Sequence, residues 1–306
     1  MVRAMLRAAG TTEAWGEDSF VAYRDVSPSV DGGGPSESYC RLLEDVRELR
    51  IGGLIFGNSV HTLGEDPIVS EGDLPRVAVA DKPLGRVGAV RTDRQALLRR
   101  AVEVLLDRGC RRIALIVSST DGERDVEVCR GLLAGTDAPL DDLLVHGVNV
   151  TRPVWARPLV RVLFGLSEAM RPDGLLVTDD HFMPHVVAGI AASRLPDAEQ
   201  IPIVGHANFP LDEPDALPTT RVGFDAYEIL RAGLDALREQ CRTGTPDSRV
   251  VPPRFAREVE GEAGARAGSV PFENEYGAPL ATESTSRGTV RAAPTASART
   301  ARPRRR

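Results

Sequence analysis

The sequence predicts an α/β protein built on doubly wound parallel sheets. Three observations lead there. Short runs without a polar residue recur, IALIV at 113–117 and GLLV at 174–177 among them, as strands covered on both faces require. Segments with apolar residues at helical spacing alternate with those runs. The stretch 87–119 holds a whole βαβ unit: a strand ending in Asp93, an amphipathic helix, a stop at Gly109 and the buried strand IALIV. In that helix Leu97, Leu98, Ala101, Val102 and Leu105 form the apolar stripe, and Arg94, Arg99, Arg100, Glu103 and Arg108 take the other face. Gly109 stands where a helix needs left-handed angles.

The other elements follow in order. Residues 1–17 read as a helix end and a loop, and 19–23 as a strand. A helix is predicted over 36–50, with Tyr39, Leu42, Leu43, Val46 and Leu49 on one face. Strands follow at 54–56 and 77–80. After IALIV come a helix over 123–133, a strand at 143–145, and a helix over 155–170 with Pro158 in its first turn. A strand at 174–177 leads to a helix over 181–195, then a strand at 201–205. Pro202 marks the start of that strand, because it cannot donate to a central ladder. A strand at 222–224, a helix over 227–240 and a last strand or edge at 249–257 complete the alternation. From about 259 to 306, Ala, Gly, Ser, Thr, Pro and Arg dominate with little to bury, which predicts a disordered, Arg-rich tail.

Composition narrows the function classes. The chain has 306 residues, 42% hydrophobic and 27% charged, which suits a soluble globular protein. No apolar run is long enough to span a membrane, so no membrane partner is expected. Cys40, Cys110, Cys129 and Cys241 are scattered and form no CxxC, which points to a reducing, cytoplasmic setting. The net charge of −6 conceals seven arginines and no acid in 287–306, so the rest of the chain carries −13. An acidic body is a poor general binder of nucleic acid.

Ligands of open parallel sheets sit just beyond the carboxyl ends of strands. That rule selects Asn58 and Ser59, Asp81, Asp93, Ser118 to Thr120, Asp179 and Asp180, and His206 to Asn208. Short polar side chains of this kind suit a polyhydroxyl ligand, whose buried hydroxyls each need a partner. Asp93 and Asp180 each open a helix and serve first as caps, which makes Asp179 the better ligand candidate of its pair. His181 and His185 are one turn apart beside two aspartates, but no HExxH completes the set, and packing or surface roles are favoured over a metal. No phosphate-loop or GxSxG pattern occurs, so neither cofactor nor enzyme is expected.

Three stretches also carry a resemblance: PRVAVADKPLGRVGAVRTDRQA from 75, RPDGLLVTDDHFMPHVVAGI from 171, and IPIVGHANFP from 201 with DALPTTRVGFDAYEILRAGLDAL beyond it. Together with the turn Gly109-Cys110-Arg111-Arg112-Ile113, they resemble the effector-binding domain of LacI/GalR-type transcription regulators. The resemblance implies a periplasmic binding protein type I-like fold of two doubly wound lobes. It places 1–109 plus 220–244 in the first lobe and 110–219 plus 245–258 in the second, with crossovers near Gly109, Thr219 and Gly244. The first lobe is expected to be incomplete, since no helix-turn-helix and no first strand precede residue 1. It implies a small, carbohydrate-like effector held between the lobes by Asp93, Arg124, Asp179, His206 and Asn208. Asp179 stands where the family has an asparagine, Ala207 where it has an aspartate, and Asp125 near its helix arginine, with Arg124 one place away. Trp155 is a candidate to cover a sugar face, with core packing favoured. The expected assembly is a cytoplasmic homodimer, with operator DNA as a partner only where a helix-turn-helix lies upstream or on another chain. A solute-binding protein of a sugar transport system is the alternative, with an α/β enzyme behind it.

Overall fold

The structure, a computed structural model, describes residues 1–10, 19–29, 33–57, 60, 63–193, 195, 198–210 and 215–263. It is an α/β fold on two sheets that share one compact unit. The first sheet runs in the order β1 (Leu54–Phe56), β2 (Arg76–Val79), β3 (Val87–Thr92), β9 (Ser248–Val251), all parallel. The second has the order β10 (Arg254–Phe255), β8 (Thr220–Asp225), β7 (Ile203–Phe209), β6 (Gly174–Val177), β4 (Ile113–Ser118), β5 (Val145–Val148). Only β10 in that sheet is antiparallel.

The strand period of two assigns each face of the second sheet. In β4, Ile113, Leu115 and Val117 face one core, shared with α4 (Arg94–Asp107) and with Cys129 and Leu133 of α5 (Glu123–Leu133). Ala114 and Ile116 face the other, shared with α6 (Ala156–Phe164) and α7 (Met183–Ala191). An apolar run is therefore satisfied on both sides, as the sequence predicts. On the first sheet, Ala78 and Val87 pack outward with Tyr39, Leu42 and Val46 of α2 (Glu37–Arg47) and Ile68 of α3 (Pro67–Ser70). Val77 and Val90 share the other core with α8 (Ala226–Thr243) and α1 (Val2–Ala9).

Each crossover falls one element away from its expected position. The first was expected near Gly109, but α4 already packs on the second sheet, so the chain crosses at Asp93. The second was expected near Thr219. Strand β8 pairs with β7, so the chain returns only at Asp225, and α8 then covers the first sheet. The third was expected near Gly244, yet β9 pairs with β3, and the crossing lies between Val251 and Arg254. Residues 220–225 thus pair within the second sheet and 248–251 within the first, the reverse of the expected division. Gly109 (φ 79°) and Gly244 (φ 71°) are helix stops rather than crossings.

Smaller differences have local causes. Residues 19–23 form no strand, although Tyr23 donates to Asp45 in a part-buried contact. Residues 142–144 make a 3-10 turn capped by Asp141, which delays β5 to Val145. The helix expected over 155–170 stops at Phe164, capped by Gly165. Strand β7 starts just after Pro202, as that residue's missing donor requires. The tail from 264 onward, where disorder was expected, and the candidates Asn58 and Ser59 lie outside the described residues.

Candidate functional site

The carboxyl ends of both sheets meet at a cavity of about 330 Å³. Gly57, Val79 and Thr92 line it from the tips of β1, β2 and β3. Asp180, His181, His206, Asn208 and Phe224 line it from the second sheet, and Arg94 from the first turn of α4. The backbone brings these groups together through one close approach. Asn208 on β7 stands beside Phe224 on β8, and a Cβ on the neighbouring Gly223 would lie 1.7 Å from the Ala207 carbonyl. Only glycine lets the two strand tips close in this way.

Asp180 and Asn208 are joined directly: Asn208 Nδ2 donates to Asp180 Oδ2 at 2.7 Å. His206 Nδ1 lies 3.9 Å from Asp180 Oδ1, and the ring meets Phe224 edge to face at 6.0 Å. Burial pushes the His206 imidazole down to about 3; the Arg94 charge pushes the same way and Asp180 opposes it. The ring is therefore neutral at physiological pH. Burial raises the Asp180 carboxyl. The fields of His206, the Met1 amino group and His181, together with the Asn208 hydrogen bond, outweigh burial and hold it below the ordinary carboxylate value.

Arg94 is the cavity's guanidinium, and it is already engaged. Its Nε and one terminal nitrogen donate to the two oxygens of Asp125 at 3.1 and 2.5 Å, and it also donates to the Thr178 carbonyl at 2.5 Å. Asp125 is 7% exposed on the inner face of α5, in register with Cys129 and Leu133. A carboxylate there needs a cation, and Arg94 supplies one in the bidentate geometry that suits the pair.

Of the five residues selected from the sequence, the structure brings two into the cavity, His206 and Asn208. Asp93 caps α4 by accepting from Ala96 N at 3.0 Å and does not line the cavity. Arg124 is on the exposed face of α5, 3.7 Å from the equally exposed Asp81. Asp179 and Asp180 exchange their expected roles. Asp179 accepts from His181 N at 2.9 Å and caps the 3-10 turn that precedes α7, which leaves Asp180 to face the cavity. Trp155 is 60% exposed, so it neither covers the cavity nor packs in the core. Ser118 spends its hydroxyl on Thr120 N. The sequence reasoning missed Arg94, although an aspartate on the apolar face of α5 was the signal that a buried cation lay opposite.

Asp179, Asp180 and His181 also form the one cluster with metal-ligating spacing among the described residues. His181 Nδ1 lies 2.8 Å from Asp179 Oδ1, and Asp180 accepts from Asn208, so the donors are largely engaged with one another. A second cavity of about 320 Å³ lies at the amino ends of β4, β6 and β7. Its polar groups are also spent internally: Arg112 donates to the Arg171 and Glu168 carbonyls, and Asp173 accepts from the amides of Arg111 and Arg112.

Solved structures share this arrangement. The chain is similar to a LacI family transcriptional regulator from Enterococcus faecium with bound ribose, at 18% identity and TM-score 0.61, covering 83% of this chain and 91% of that one. The transcriptional regulator CelR in complex with cellobiose aligns at 20% identity and TM-score 0.56, covering 83% and 76%. A LacI family regulator from Lactobacillus casei with bound glucose aligns at 15% and 0.56, covering 83% and 92%. The chain has the LacI-regulator fold. No family model matches the sequence, and no curated protein matches it. Within the LacI-regulator fold the charges of this cavity are rearranged: Asp125 occupies the place where the resemblance expects an arginine, and the guanidinium arrives from α4 instead. No described helix is long and apolar enough to cross a membrane.

Proposed function

We propose that this chain is the ligand-sensing part of a LacI-type transcription regulator, and that it holds a small hydroxylated effector in the cavity between the carboxyl ends of the two sheets. The observation that supports this reading best is the convergence of Arg94, Asp180, His206 and Asn208 on a cavity whose walls come from both sheets. A ligand touching both walls binds one relative arrangement of the sheets better than another. Differential binding of that kind is what couples a sensor to its output. The chain has no catalytic role in this reading. It works as a cytoplasmic homodimer and meets operator DNA through a helix-turn-helix upstream or on another chain. The solved neighbours with bound ribose, cellobiose and glucose favour a carbohydrate over other small polar ligands.

Thermal unfolding against a panel of sugars and polyols tests this. An effector at 100 times its dissociation constant stabilises the fold by about 2.7 kcal/mol. The shift should be lost in Asn208→Ala and kept in Arg124→Ala. A panel that leaves wild type unmoved would overturn the sensing role.

A further inference from the structure

The atoms left without partners around the cavity are of one kind. Among the described residues, His206 Nε2 and Asn208 Oδ1 are buried and have no hydrogen-bond partner, in side chains only 9% exposed. Asn208 Oδ1 is an acceptor, since its amide nitrogen is committed to Asp180. His206 is neutral, and its Nδ1 faces the Asp180 carboxylate. That arrangement keeps the proton on Nδ1 and leaves Nε2 as a bare lone pair. Asp180 itself only accepts. Leaving buried acceptors unmatched is costly, and a ligand that supplies N–H or O–H groups removes that cost.

Charge points the same way. The cavity's guanidinium is paired through two bonds to Asp125 and a third to the Thr178 carbonyl. Asp180 carries a full negative charge, with a neutral amide and a neutral ring beside it. An anionic ligand meets this carboxylate and finds Arg94 already occupied, whereas an ammonium meets a carboxylate and two open acceptors.

Building on the sensing role proposed above, we propose that the cavity selects a hydroxylated amine, an amino sugar in chemical class, over the corresponding neutral sugar, and rejects sugar phosphates. The amine donates to Asp180 and Asn208, and a neighbouring hydroxyl donates to His206 Nε2. No bond is made or broken.

The test uses the full chain and matched sugars. Glucose, galactose and mannose are each titrated as the neutral sugar, the 2-amino sugar and the 6-phosphate, with thermal unfolding and calorimetry as readouts at constant ionic strength. The expected result is that one amino sugar binds at least tenfold tighter than its neutral parent while the phosphates give no shift. Asp180→Asn, which keeps the shape and removes the charge, should bring the amine and its parent to within about threefold of each other. The unliganded melting temperature of the variant reports separately whether it folds, and Asn208→Ala serves as a second variant. A phosphate that binds as well as the amine overturns the inference. So does an amine preference that survives Asp180→Asn, or Mn²⁺ or Zn²⁺ alone stabilising wild type through Asp180, which would assign the acceptors to a metal. A neutral sugar that binds without gain from the amine removes this inference and leaves the sensing role standing. Silence toward every sugar, neutral ones included, removes the sensing role as well.

Discussion

The two sheets are held in different ways. The second sheet has six strands and cores on both faces made almost wholly of Leu, Ile, Val, Ala and Phe. The first has four short strands, and its outer layer depends on buried polar contacts. Arg76 on β2 is 2% exposed and donates to the carbonyls of Ile68, Leu74 and Glu71 around the end of α3. Asp45 on α2 accepts from Tyr23 and Arg50. Where a layer buries enough apolar area, packing alone sets it. Where strands are short and coverage is thin, directional bonds decide where the loops lie.

Substitutions that separate packing from polar latching test this contrast. Leu115→Ala, at 1% exposure between two layers, should cost about 2–5 kcal/mol in urea unfolding and lower the midpoint without changing the slope. Arg76→Met should cost less, about 1–3 kcal/mol, through carbonyls left unmatched, and exchange of the amides of α3 should rise before that of β4. An Arg76→Met protein as stable as wild type would remove the distinction, since buried charge is then no help to the first sheet.

Acid should also separate the two regions. His206 has its folded value depressed from 6.5 to about 3, so its contribution is complete above pH 6.5 and fades as pH falls toward 3. By pH 5 the loss should reach about 2 kcal/mol, and His206→Gln should flatten that slope. Asp45 is held below 3.8, chiefly by the Tyr23 hydrogen bond and against the effect of burial. Its contribution persists above 3.8 and is lost only below that value, so the α2 layer should outlast the cavity on titration, as amide exchange at pH 5 would reveal. The smallest effect belongs to Arg124→Ala. Removing this exposed arginine should move stability by no more than about 0.5 kcal/mol, and a larger change would mean that its ion pair to Asp81 matters.

The same contrast explains what the sequence made legible. The second sheet announces itself: IALIV and GLLV are buried on both faces, and nothing else suits so short a run without polar residues. The strand-tip rule then finds His206 and Asn208, because β7 ends where its apolar run ends. It misplaces Asp179 and Asp180 because a 3-10 turn at Asp180–Phe182 moves the cap one residue earlier, and periodicity carries no sign of such a turn. The crossovers are hidden for a more general reason. The stripe on α4 declares which side is buried but not which sheet it is buried against. Arg94 is missed because its partner lies 31 positions away, on another helix.

Asp93 and Asp225 perform the same hand-over in opposite directions. A strand of the first sheet leads straight into α4 on the second, and a strand of the second leads straight into α8 on the first, each helix opened by its own aspartate. There is no slack at either joint. One residue added between Asp225 and Ala226 would turn α8 by about 100° and swing Ile229 and Leu237 off the first sheet. The phase of each helix is thereby fixed by a strand belonging to the other half, so a length change tolerated in a surface loop would uncouple the two halves here.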